Sequence, residues 1–502
     1  MRVGGLLTIY ILALASFSFG QVAYSDWDGK HAFRINANGS LGVDLNTLRP
    51  ASFYENNTNL PLLKQAGLWI IAQDKGGAYH TATHFQNEVD GYDFWAGPVD
   101  TLTGQTSGTS EWNKVWTVTK DEIDYHKENS QKVGYEVPLS LRSWPAKGSD
   151  GFANYLAPFI DVNDDGEYKP EQGDYPDVKG IKSAYCIFND LEGEHKASLG
   201  QEIGIEVTML VSQLEVNSSA SFLEYFIINR RPTDYENIKV GFFIDGQCGN
   251  RFDNYAGTFS NYPESIFVYQ GDETDEGFFN NDLPYIYATF QNENLHNSIA
   301  FNDSKDKNGK PLLTQDFINY SNSIWKDSSF LTVGNDGTSG NIRTDFIYNQ
   351  SNLNPWAEED APNMVGARTI AGFVEHTDFS RDDFIRFNVL LDIGIVNNEN
   401  IIDDIFKKSL YADKLFRETS SIKDVLSTIE LFPNPAKSIF TTKSNRLINS
   451  IQIRNNLGKL VYSKNKINSA SVLCNNTLTK GVYYITINTK GGSFLEKLIL
   501  TK

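Results

Sequence analysis

Between Gln21 and Asn397 the chain is a succession of short apolar runs separated by Gly, Asn, Asp and Pro. Gly67–Gln73, Gly204–Leu214, Ser221–Arg230, Ile238–Asp245, Glu264–Gln270, Tyr285–Gln291 and Phe387–Val396 each have the length of a strand. Runs this short do not sustain a helical stripe, whereas their β-branched and aromatic side chains pack well on a pleated surface. The aromatic share of 13%, with 32 Phe and 24 Tyr against 3 Met, points the same way. The expected fold class is therefore all-β, with a β-sandwich body that has room for more than one sandwich. The turn-rich stretches Phe301–Pro311 and Val333–Asn341 read as exposed loops.

At 502 residues the chain is longer than one ordinary domain. Residues 1–20 read as a signal peptide, with Arg2, an apolar stretch from Leu6 to Ala15, and Ser18-Phe19-Gly20 before Gln21. An N-terminal anchor is the alternative, against which the apolar stretch is short for a membrane span. Residues 21–397 form the β-rich body. Residues 398–418 are expected to be an amphipathic helix, with Asn398 as its cap, Asp403 and Asp404 early, and Lys414 and Arg417 late, matching the helix dipole. Its apolar face, including Ile401, Ile405, Leu410 and Phe416, should dock back onto the body. A linker over 419–429 precedes the last domain, 430–502.

Charge sets that last domain apart. Residues 431–502 hold 11 Lys and Arg and 1 acidic residue, a net of +10; the rest holds 33 basic and 62 acidic residues, a net of −29. So acidic a body argues against nucleic acid as a partner and suits divalent cations. Three cysteines, Cys186, Cys248 and Cys474, make no disulfide scaffold and are expected to be buried thiols; spacing leaves a Cys186–Cys248 pair open.

Four blocks stand out near the C-terminus: Ile429–Phe440, Ile453–Ser463, Leu478–Thr489 and Lys497–Lys502. Pro433-Asn434-Pro435 is rigid extended chain. Gly458-Lys459 lies at a hairpin turn, and Gly481 opens an alternating strand that carries Tyr483. Together they suit a small Ig-like β-sandwich. In order and spacing the blocks, with Lys497 in the last, resemble the type A C-terminal sorting domain of Bacteroidota proteins exported by type IX secretion. The resemblance implies passage across the inner membrane, recognition of the folded tail by the type IX machinery, and removal of the tail by a processing protease. It further implies secretion or display on the outer cell surface, where many such proteins are attached to lipopolysaccharide.

The body resembles a recurrent class of large secreted proteins that carry this tail. The likeness runs through Asn36–Gly42, Ala66–Gly77, Asp93–Thr101, Glu111–His126, Val240–Phe259 and Val268–Gly277, and it implies architecture and destination but no reaction.

The stretch Asp161–Pro176 fits a calcium-loop template. Asp161, Asn163 and Asp165 fill its first, third and fifth places, Gly166 the sharp turn, and Glu167 the place that ligates through its backbone carbonyl. The twelfth place holds Gln172 instead of a bidentate Glu, with Asp174 two residues on, and Pro170 opposes a flanking helix. Calcium is therefore expected at a helix-free loop, held through Asp161, Asn163, Asp165, Glu167 and Asp174; an acidic solvated turn is the competing reading. A weaker calcium candidate is Asp245 with Asp253 and Asn254, joined by Asp272 or Asp275.

Signals of catalysis are thin. His80 and His84 stand on one strand without any accompanying metalloprotease or nucleophile motif, and read as hydrogen-bonded or surface histidines. Glu194-His195, Asp382-Asp383 and Asp403-Asp404 are pairs too common to imply chemistry. Trp69, Trp95, Trp112, Trp116 and Trp144 read as core before sugar platforms. The expected function is that of an exported, calcium-stabilised β-protein with a non-catalytic binding, adhesive or structural role. A secreted hydrolase of polysaccharide or peptide is the alternative.

Overall fold

In the computed structural model, residues 22–24, 31–54 and 60–501 are described, apart from interruptions of one to four residues and the stretch 272–277. The proposed signal peptide, Asn398, Pro433, Gly458, Asp272 and Asp275 lie outside the described residues.

The apolar runs pair as antiparallel strands in two large sheets. Five strands lie in the order Asn297–Phe301, Thr369–Phe379, Tyr235–Gly246, Leu63–Asp74 and Tyr79–Thr83. Nine strands make the second sheet, running from Asn254–Phe259 through Ser265–Gln270, Leu283–Gln291, Phe384–Val396, Ser221–Asn229 and Ile205–Gln213 to Lys182–Asn189. The short strands Trp95–Ala96 and Trp116–Thr119 both pair with this last strand. The facing surfaces share one core, in which Ile70, Val240, Phe243, Val207, Tyr225 and Val389 are all buried. Besides these two facing sheets, the described body strands form a three-stranded sheet of Val22–Tyr24, His31–Asn36 and Ser52–Tyr54 and the short pair Phe159–Ile160 and Tyr175–Pro176.

Strand Tyr235–Gly246 is buried along nearly its whole length, on both faces, so each sheet must be covered on its outer side as well. Residues 302–348 cover the five-stranded sheet: Phe317, Tyr320, Trp325, Leu331 and Ile347 are buried there, and Phe317 meets the edge of Trp69 at 4.9 Å between ring centroids. Part of what reads as exposed loop is thus a lid, anchored by a few aromatic side chains that its polar composition conceals.

Two segments cover the nine-stranded sheet. Residues 112–178 pack Trp116, Trp144, Ile123 and Leu141 onto Tyr185, Ile187 and Leu210. At the other end lies the expected amphipathic helix, Ile401–Asp424, which continues through most of the expected linker. Asn400 accepts from the Asp403 N–H at 3.3 Å, a cap two residues after the one read from the sequence. Ile401, Ile405 and Ala412 bury against the sheet, and Phe416 stacks on Phe222 with 4.1 Å between centroids. Burial of Ile405 or Phe416 contributes about 1.5–3 kcal/mol each.

The tail is a separate β-unit with its own core of Phe440, Ile451, Ile453, Ile485, Ile487 and Leu498. Its long strand Ile439–Asn455 pairs by its first half with Ile429–Phe432 and Ser469–Asn475, and by its second with Leu460–Lys464 and Gly481–Thr489. Asn434 Oδ1 accepts from the Ile499 N–H at 2.9 Å, and the chain after Pro435 continues alongside the last strand, the Ala436 N–H reaching Ile499 O at 2.8 Å. Across the hairpin, the Lys459 N–H meets Asn455 Oδ1 at 2.9 Å. Gly481 lies opposite Leu500, and Lys497 opposite Tyr484. The Tyr483 hydroxyl donates to Thr479 O at 2.9 Å. Tyr484 touches the body, donating to Asp382 O beside the Phe384 ring.

Candidate functional site

The acidic loop lies on the segment covering the nine-stranded sheet, rooted by Phe159, Tyr168 and Tyr175. Gly166 adopts φ 79°, in the left-handed region that lets the chain fold back over Asp161. Asp161 Oδ2 accepts from the Gly166 N–H at 2.7 Å. The Asp165 N–H lies 3.3 Å from Asp161 Oδ1 and 3.1 Å from Asn163 Oδ1, so two of the template's side-chain oxygens converge. Asp165 Oδ1 accepts from the Glu167 N–H at 2.9 Å, while its Oδ2 holds Lys169 Nζ at 2.8 Å; this lysine, with the N–H bond, keeps the Asp165 carboxyl below its usual range. The Glu167 side chain turns outward to Lys147. Gln172, at the twelfth place, accepts from the Asn163 amide at 2.6 Å.

Asp174 plays a different part. It is fully buried, and its two oxygens accept from the Val162 N–H at 2.9 Å and the Lys169 N–H at 2.7 Å, closing the loop across its base. Burial raises its pKa; the two N–H bonds oppose this, and the Asp161 and Asp165 charges add to it. Among the described residues no three His, Cys, Asp or Glu side chains form a metal-holding group.

Asp245 and Asp253 part company. Asp253 Oδ2 accepts from the Asn250 amide at 2.5 Å within its own loop, and Asn254 ties the loop through Cys248, its Oδ1 taking the Cys248 N–H at 3.0 Å. Asp245 lies at the end of the five-stranded sheet, opposite Gln65 on one side and Thr369 on the other. It is 2% exposed, and its Oδ2 pairs with Lys64 Nζ at 2.5 Å, so the cation beside it is a lysine. Together they line a cleft of about 210 Å³, whose wall includes Gln86, Arg251, Asp303 and Lys310. Only Asp245 in this set was legible beforehand; the others come from four separate stretches of chain with no shared motif.

The two strand histidines of the sequence reading, His80 and His84, meet the backbone. His84 Nδ1 accepts from the Leu68 N–H at 3.0 Å and its Nε2 reaches Asn38 O at 2.8 Å, a neutral arrangement that agrees with burial pushing its pKa down to about 4. His80 Nδ1 lies 2.6 Å from Glu202 O. His195, set aside in the sequence as half of a common pair, has carbonyl oxygens at both ring nitrogens, Thr81 O at 2.7 Å and Asp190 O at 2.8 Å. Both nitrogens must therefore donate, making the ring an imidazolium. Burial alone would lower its pKa, but Asp190 and Asp93, each 3.9 Å away, and the two carbonyls raise it on balance. Asp190 in turn accepts from the Ile203, Gly204 and Ile205 N–H groups. Arg230 is likewise clamped between Glu206 at 2.5 Å and Asp382 at 3.2 Å, and Arg368 pairs with Glu358 in full burial.

Trp69, Trp116 and Trp144 are core, while Trp95 and Trp112 are half-buried. All three cysteines are buried free thiols. No described helix is long and apolar enough to cross a membrane.

Residues 430–501 match the family described as the secretion system C-terminal sorting domain. This tail makes the chain a type IX secretion cargo that engages the type IX machinery and is secreted or held at the cell surface. No curated protein matches the chain. Among solved structures, a polysaccharide lyase is 10% identical at a TM-score of 0.21, with 87% of this chain and 47% of that one covered. A protein assigned as a kojibiose phosphorylase from the human microbiome is 9% identical at 0.25, with 81% and 36% covered. The chain thus spans less than half the length of either, and similarity at these scores carries no functional argument.

Proposed function

We propose that this type IX cargo works outside the cell as a non-catalytic binding protein whose body is delivered by its tail. The observation that carries the reading is how the body uses its ionisable groups. His84, His195, Asp93, Asp190, Glu206 and Arg230 are spent on buried backbone and ion-pair contacts that join strands and loops. Groups held this tightly are poorly placed to exchange protons with a substrate. An open, polar-lined cleft at a sheet end is what remains for recognition.

On the same reading, calcium pins the acidic loop. Asp161, Asn163, Asp165 and the Glu167 carbonyl supply hard oxygens of the kind that ion takes. The support is the convergence of Asp161 Oδ1 and Asn163 Oδ1 on one N–H; binding would require Lys169 to leave Asp165. The tail is lost to a processing protease after an N-terminal signal has directed export from a Bacteroidota cell, and the body is then released or attached to lipopolysaccharide.

Removal of Glu430–Lys502 tests the delivery step. The truncated body should accumulate inside the envelope, as read by surface proteolysis and fractionation. Undiminished surface display would overturn the role given to the tail.

A further inference from the structure

Three residues that line the cleft beside Asp245 carry buried polar side-chain atoms without a hydrogen-bond partner. Asp245 Oδ1 has no hydrogen-bond partner, although the residue is 2% exposed. Gln86 is 4% exposed, yet both its amide nitrogen and its amide oxygen are without partners, as is Nε of Arg251. Buried polar groups are nearly always paired, because each orphan forfeits its hydration. Four such atoms on three residues that line the same 210 Å³ cleft point to a ligand.

Their chemistry narrows the class. Asp245 Oδ1 needs a donor, Arg251 Nε an acceptor, and Gln86 one of each; hydroxyl groups serve as both. Lys64, Arg251 and Lys310 bring three positive charges to the wall, against the two carboxylates of Asp245 and Asp303. Lys64 is paired with Asp245, Arg251 stands 3.9 Å from Asp303, and Lys310 has no carboxylate partner among the described residues. A local excess of positive charge in a body of net −29 favours an anion at the rim. Phe85, Val43 and Leu48 give the cleft an apolar side for a C–H face. At about 30 Å³ per water the space equals roughly seven waters, enough for one sugar ring.

We infer that the cleft binds a single hexuronate ring, its hydroxyls toward Asp245 and Gln86 and its carboxylate toward Arg251 and Lys310. The inference rests on the binding role proposed above and names its ligand class. A divalent cation does not suit the same wall, since three basic side chains would repel it.

The test is calorimetric titration of the full chain with glucuronate and 4-nitrophenyl β-glucuronide, with glucose and acetate as controls. Both glucuronates should bind saturably and the controls at least tenfold more weakly. Arg251→Gln, a partly exposed position where folding is not at stake, should weaken glucuronate at least tenfold, and Asp245→Asn should do the same where it folds. Absence of glucuronate binding, equal binding of glucose or acetate, or an unchanged affinity in Arg251→Gln overturns the inference. Arg251-dependent release of 4-nitrophenol would support this ligand class while overturning the non-catalytic reading, so the two fail separately.

Discussion

The acidic loop and the Asp245 cleft both present carboxylates that the sequence marks as possible cation ligands, and the fold treats them in opposite ways. In the loop, Asp161, Asp165 and Asp174 accept from backbone N–H groups of the same loop, so the charges organise the chain that carries them. In the cleft, Asp245 meets Lys64 across 181 positions of sequence and keeps one oxygen without a partner. A carboxylate satisfied by its own loop is a folding device. One satisfied only in part, at a junction of strands, is available to something else.

The comparison breaks most easily at Lys64. Lys64→Met leaves the buried Asp245 carboxylate without its counter-charge and should cost about 3 kcal/mol, read as a lower urea midpoint for the body. Pairing it with Asp245→Leu should restore much of the loss. If Lys64→Met were neutral, the pair would have no hold on the sheet end, and the contrast with the loop would disappear.

A smaller effect is expected at Asp174. Asp174→Ala strands the Val162 and Lys169 N–H groups and should cost about 1–3 kcal/mol, in the presence or absence of calcium. Hydrogen exchange at those two amides is the sharper readout, since it should rise there before it rises in the sheets. Unchanged protection would mean that the loop closes without this residue.

Smallest is the metal itself. At the proposed site, with a dissociation constant near 10⁻⁴–10⁻³ M expected for a loop of this kind, 1 mM calcium should stabilise by about 1 kcal/mol, a shift of roughly 1 °C in the melting of a body this large. Asp161→Ala should abolish that shift and leave the Lys64–Asp245 junction untouched. A calcium shift that survives Asp161→Ala would place the ion elsewhere.

How much could be foreseen follows from how local each feature is. The loop was legible because its template occupies consecutive positions, and the Gly166 turn is required by that spacing. The dipole-matched helix was legible too, although the cap contact seen among the described residues is made by Asn400, two residues after the expected cap, since helix ends turn on single hydrogen bonds. The tail blocks, being short motifs in fixed order, could be recognised without the fold. By contrast, the cover formed by residues 302–348 was hidden, because Phe317, Tyr320 and Trp325 are scattered in polar text and only the exposed face of the sheet explains them. His195 was set aside for a related reason: its charge depends on Asp93 and the Thr81 carbonyl, brought from other segments.

From residue order alone follow the β-rich class, the secretion tail, the docking helix and the loop able to turn back on its own carboxylates. Each depends on side-chain preferences and contacts within a few residues. Which carboxylates are spent and which remain available was decided only by the tertiary structure. Desolvation and counter-charge come from neighbours that antiparallel pairing sets beside one another, as it sets Asp245 between Gln65 and Thr369.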